Sequence, residues 1–79
     1  MDMEQALVLV ALSPSFKRET VDKIRAIEGV TSVNLLYGPY DLYAMIKSED
    51  LNGIRATVIK IRETDAVKST ITCNVINPT

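Results

Sequence analysis

The run Ala6-Leu7-Val8-Leu9-Val10-Ala11-Leu12 constrains this chain most: it places apolar side chains on both faces of whatever element it forms. At seven residues it falls far short of the ~20 needed to cross a bilayer. It is also too short for a helix that spans a core. It reads as a strand, Gln5 to Leu12, covered on both sides. Ser13-Pro14-Ser15 breaks it, since proline supplies no donor to a sheet ladder, and either serine is placed to cap a following helix. No basic segment precedes the run, so it does not read as a signal peptide, and a cytoplasmic location is expected.

Two helical and three further strand patterns follow. Val21, Ile24 and Ile27 recur within Phe16 to Glu28, with Glu19 and Lys23 spaced to pair and Gly29 placed for a left-handed cap. Val30 to Tyr37 alternates as a strand. Gly38-Pro39-Tyr40-Asp41 is a turn signal, and Leu42 to Lys47 alternates again, so the turn closes a hairpin. Ser48-Glu49-Asp50 supplies a cap for a second helix, Leu51 to Glu63, with the stripe Leu51, Ile54, Val58 and Ile61. Val67 to Ile76 is the last strand, and Asn77-Pro78-Thr79 ends it. A short polar leader, Met1 to Glu4, precedes the whole.

The order β-α-β-β-α-β predicts an α+β ferredoxin-like sandwich. Right-handed crossovers place both helices on one face of a four-stranded antiparallel sheet. With 79 residues the chain closes one core, so residues 1–79 are expected to form a single domain. A faint repeat relates the halves: Ile24-Arg25 with Val30 echoes Ile61-Arg62 with Val67. Two helices cover only one sheet face, yet both residue sets of the first strand are apolar, as are Leu42, Ala44 and Ile46 against Tyr43 and Met45. A lone chain would leave a large apolar patch in water. The open face is therefore expected to pack on a second copy, most simply as an isologous dimer, unless loops cover it.

What the chain lacks narrows its chemistry. There is no histidine, which removes Ser-His and Cys-His pairs and the commonest metal ligand. The single cysteine, Cys73, makes neither an internal disulfide nor a Cys-x-x-Cys site and reads as a small buried thiol. Nine basic and ten acidic residues give a net charge of -1, without the basic excess of a nucleic-acid binder. No enzyme, no metal or other cofactor, no membrane and no direct nucleic-acid contact are expected.

The run Gly29-Val30-Thr31-Ser32-Val33, the segment Tyr37-Gly38-Pro39-Tyr40-Asp41-Leu42, and Val67-Lys68-Ser69-Thr70-Ile71-Thr72 together resemble the ligand-binding (RAM) domain of the Lrp/AsnC, or feast/famine, transcription regulators. The resemblance extends from Gln5 to Ile76 and is most specific at the Gly-x-Tyr-Asp turn and the Thr-x-Thr of the last strand. Full-length members carry an N-terminal helix-turn-helix domain. This chain begins almost at the first strand and is similar to stand-alone RAM proteins, so no DNA-reading domain is expected. A smaller departure is Asp65-Ala66, where the family commonly has a glycine.

The resemblance implies an effector-binding and oligomerisation module for amino acids. It implies dimers paired through their sheets and assembled into an octameric or decameric ring, with the effector between neighbouring dimers. Co-assembly with full-length regulators, without a ligand, is the alternative. Carried over, the site residues are Tyr37, Gly38, Tyr40, Asp41, Thr70 and Thr72. Their chemistry suits a zwitterion: Asp41 for the ammonium group, turn amides around Gly38 and Tyr40 for the carboxylate, and the same-side hydroxyls of Thr70 and Thr72 for the side chain. Read alone, the same residues describe a hairpin turn, β-favouring threonines and interface tyrosines. Among other users of this fold, the chain lacks the loop arginine of acylphosphatases and the paired cysteines of metal carriers. It also lacks the stacking aromatics of RNA-recognition domains and the first-loop glycine by which ACT domains hold amino acids.

Overall fold

The strand that must be covered on both faces lies inside the sheet. In the computed structural model, which describes residues 3–76, β1 (Glu4–Leu12) runs between two antiparallel neighbours. The remaining elements are α1 (Arg18–Arg25), β2 (Val30–Leu35), β3 (Leu42–Ser48), α2 (Leu51–Arg62) and β4 (Val67–Asn74). The sheet order is β2-β3-β1-β4, antiparallel throughout, which is the expected ferredoxin-like arrangement. Asn77-Pro78-Thr79 and the first two residues of the expected leader lie outside the described residues.

The core is built from one side of the strands. Ala6, Val8, Val10 and Leu12 of β1 meet Leu42, Ala44 and Ile46 of β3 and Val33 of β2. Val21 and Ile24 from α1, with Ile54 and Ile61 from α2, close over them, and Ile27, Val30, Val58 and Val67 pack at the margin. Each fully buried valine, leucine or isoleucine among them contributes about 1.5–3 kcal/mol by leaving water, and each alanine less.

The helices differ from the sequence reading at their ends. Neither serine caps α1, because the Ser13 hydroxyl oxygen accepts the Ser15 N–H (3.2 Å) and pairs with the Ser15 hydroxyl (2.9 Å) in a local turn. Lys17 occupies the cap position instead, and its N–H donates to the Thr20 hydroxyl (3.3 Å), so the helix starts two residues later than Phe16. Its exposed ion pair is Asp22 with Arg25 (3.4 Å) rather than Glu19 with Lys23. In α2, Asp50 caps as expected by accepting the Gly53 N–H (2.8 Å). Leu51 is exposed, and the buried stripe takes Thr57 in its place. The Thr57 hydroxyl lies within hydrogen-bond distance of the Gly53 and Glu28 carbonyls (3.0 and 3.4 Å), which makes its burial tolerable.

The internal repeat is a repeat of backbone. After each helix the chain closes the same turn. The N–H groups of Ile27 and Thr64 bond the Ile24 and Ile61 carbonyls, and those of Val30 and Val67 bond Ile27 and Thr64. Both turns need a positive φ just before the strand: Gly29 supplies it at 100°, Ala66 at 74°. Glycine adopts this region freely, whereas a Cβ makes it costly. Ala66, where the resemblance led one to expect glycine, therefore holds local strain. Ala66→Gly is predicted to stabilise the fold by roughly 0.5–1 kcal/mol and to raise Tm by about 4 °C in a thermal melt at fixed protein concentration.

Candidate functional site

Two surfaces carry most of the residues the sequence singled out, the face of the sheet away from the helices and the loop between β2 and β3; Thr70 and Thr72 lie on neither. On the face away from the helices, Leu7 stands between Met45 and Cys73, and Leu9 between Tyr43 and Ile71. Leu7, Leu9, Ala11, Tyr43 and Met45 are half-buried, and Ile71 is 45% exposed. Cys73 is exposed on this same face, which corrects its reading as a buried core thiol. Alternation along β4 is the reason, since odd positions share the side of Leu7 and Leu9. The Asn34 amide donates to the Tyr43 hydroxyl (2.8 Å) at the β2 end of the patch.

The loop is longer than a tight hairpin turn. Leu35 and Leu42 are the last paired residues, and the Leu36 N–H donates to the Asp41 carbonyl (2.9 Å) to close the segment between them. Asp41 also donates its N–H to the Val10 carbonyl (3.0 Å), and its Oδ2 accepts the Leu12 N–H at 2.7 Å. That short bond from an amide to a carboxylate is of the stronger, charge-assisted kind. It joins residues 29 apart in sequence, at the point where pairing between β1 and β4 shifts register. Tyr37 stands wholly in solvent at 108% exposure, whereas Tyr40 and Asp41 are half-buried. Gly38 has no positive φ, and a Cβ there would meet nothing within 4 Å, so the chain's own packing does not require a glycine.

Tyr37, Gly38, Tyr40 and Asp41 thus lie together, but Thr70 and Thr72 do not join them within one chain. The two threonines share a side of β4, as expected, paired with Val10 and Val8 on the helix-bearing face. The Thr70 hydroxyl accepts from the Arg62 Nε (3.1 Å), and Thr72 is exposed. β1 lies between β4 and β3, so ~10 Å separates their backbones. Sequence reasoning missed the partners of Asp41, the Leu12 amide and the Val10 carbonyl, because backbone groups carry no signal in composition or spacing.

The surface concavities lie elsewhere. One of about 540 Å³ is bounded by Glu28, Gly29, Lys47, Asp50, Thr57 and Lys60. A second, of about 410 Å³, lies among Ser13, Lys17, Thr20, Lys23, Asp65 and Ala66, its counterpart in the internal repeat. Neither includes a residue of the loop. Among the described residues no cluster of three or more His, Cys, Asp or Glu could hold a metal ion, and no helix is long and apolar enough to cross a membrane.

Comparison with known proteins gives one family. The family model for the Lrp/AsnC ligand binding domain matches residues 5–79. The solved structure of FFRP-DM1 matches at a TM-score of 0.84 and 26% identity, over 92% of this chain and 99% of that one. E. coli AsnC matches at a TM-score of 0.84 and 22% identity, over 96% of this chain but 53% of its own. A feast or famine regulatory protein from M. tuberculosis, complexed with L-methionine, matches at a TM-score of 0.79 and 21% identity, over 94% of this chain and 50% of its own. The chain spans about half the length of these last two proteins, with which it shares the fold. No curated protein matches it in sequence.

The bonds of Asp41 and the isolation of Tyr37 predict responses to truncation of very different size. Asp41→Ala should lower unfolding stability by about 1.5–3 kcal/mol, the range for a hydrogen bond to a charged group. Tyr37→Ala should change it by less than about 0.5 kcal/mol. Urea denaturation at one fixed protein concentration measures both.

Proposed function

Because the chain belongs to the Lrp/AsnC ligand binding domain family, we propose that it is an amino-acid effector-binding and oligomerisation module, without enzymatic activity of its own. The observation that carries the reading is the uncovered sheet face. Leu7, Leu9, Tyr43, Met45, Ile71 and Cys73 form one apolar surface across three strands, and among the described residues both helices pack on the opposite face. A second copy related by a two-fold axis covers such a face with itself. Pairs then assemble into a larger ring, octameric or decameric, through surfaces that include the Leu36 to Asp41 loop.

The effector in this proposal lies between neighbouring pairs. Tyr37, Gly38 and Tyr40 meet it there from the loop whose end Asp41 holds, so that Asp41 completes that side of the site, and Thr70 and Thr72 come from a different subunit. The separation of the two groups within one chain supports a shared site over a single-chain one. So does Gly38, whose missing side chain serves no contact inside the chain and leaves the backbone open to approach from outside. The regulator complexed with L-methionine makes amino acids the first class to test. The module contacts no nucleic acid directly, in keeping with its net charge of -1, and acts in the cytoplasm. A second reading, co-assembly with full-length regulators without a ligand, uses the same open face. Co-purification with a helix-turn-helix-bearing relative is its test.

Native mass spectrometry of the purified protein, alone and with each of the twenty amino acids, should give an assembly of even subunit number that retains one amino acid at near-equal stoichiometry. Leu9→Lys should place like charges on the pairing face and release folded single chains. A wild-type protein that stays single under these conditions contradicts the reading.

A further inference from the structure

Asp41 is the one residue of the loop whose polar groups are engaged inside the chain on three counts. Its N–H holds the Val10 carbonyl, its carbonyl closes the loop by accepting the Leu36 N–H, and its Oδ2 accepts the Leu12 N–H. The third bond has a clear cause. Pairing of β1 with β4 shifts register between Ala11 and Leu12, and an amide displaced from the ladder needs an acceptor from elsewhere. Leu12 is itself buried. Residues Tyr37 to Tyr40, in contrast, make no hydrogen bond to any other described residue.

We infer that Asp41 is the positioning residue of the effector site and not the group that meets the effector's ammonium: its carboxylate clamps the loop to the end of β1, so that the backbone of Gly38 and Tyr40 is presented in one geometry. The inference rests on the effector reading above and changes the role its acidic residue plays. A carboxylate has room for further donors, so the two roles are separated by charge. The Leu12 amide needs only an oxygen acceptor, which an asparagine side chain also supplies. An ammonium group draws its strength from the negative charge, which asparagine lacks.

Asp41→Asn and Asp41→Ala, made in the full chain, distinguish the roles. Two readouts are needed: amide hydrogen exchange on peptides spanning Leu12 and Leu36 to Asp41, and calorimetric titration with the twenty L-amino acids, beginning with L-methionine. Asp41→Asn should keep Leu12 protected and bind the wild-type effector within about threefold. Asp41→Ala should lose both the protection and more than about tenfold in affinity. If Asp41→Ala does not fold, the asparagine variant decides alone. Retained Leu12 protection with affinity down more than about tenfold in Asp41→Asn would overturn the inference, because the charge itself would then meet the ligand. Loss of Leu12 protection in Asp41→Asn, or wild-type affinity in Asp41→Ala, would overturn it as well. A wild-type protein that binds none of the twenty while Leu12 stays protected would remove the effector reading and this inference with it. That pattern is distinguishable, because the clamp itself would be intact.

Discussion

Everything in this fold answers to β1, a strand with apolar side chains on both of its faces. A strand of that kind cannot lie at an edge or against solvent without leaving a row of side chains in water. Its even positions, Ala6 to Leu12, are sealed by β3, by Val33 and by the two helices. Its odd positions, Leu7, Leu9 and Ala11, stand among sheet neighbours on the face away from the helices, and they pass the same demand outward to a surface that the helices of the described residues leave open. The core and the proposed interface are two consequences of one strand.

The loop between β2 and β3 depends on β1 as well. Asp41 reaches Val10 and Leu12, so the end of the strand fixes where Tyr37 to Tyr40 project. The next amide along, that of Ser13, donates to the carbonyl of Ala66 (2.7 Å), the residue held at positive φ. A register shift, a carboxylate clamp and a strained turn thus meet at one end of one strand. Backbone strain of this kind persists only where surrounding structure over-determines it, and here three strands and a loop do so.

How much of this was legible in the sequence follows from what kind of interaction each feature is. Element order was readable because apolar periods of two and of three to four residues differ plainly in Val33-Asn34-Leu35 and in Ile54-Val58-Ile61. The repeat was visible in Ile24-Arg25 and Ile61-Arg62, and the first positive-φ turn in its glycine, Gly29, whereas nothing in an alanine marks the second at Ala66. Leu51 was misread because it continues the stripe by spacing alone. Thr57 was passed over because a polar side chain hides its burial until its acceptors, the Gly53 and Glu28 carbonyls, are known. Cys73 was misplaced because strand alternation says which residues share a side, not which side faces the helices. The separation of Thr70 and Thr72 from Asp41 was beyond sequence reasoning for a similar reason: it is set by β1 lying between β3 and β4.

The central claim is that the open sheet face is covered by another copy of the chain, and Cys73 reports on it directly. It is exposed in the single chain, and it stands in the same row as Leu7 and Met45. The decisive measurement is the rate at which the Cys73 thiol is alkylated by a small reagent in the native protein, compared with the same protein unfolded in urea. A covered face predicts a native rate more than about tenfold slower, since burial removes the reagent's access to the sulfur. A native rate equal to the unfolded one would show that face open to water and contradict the account.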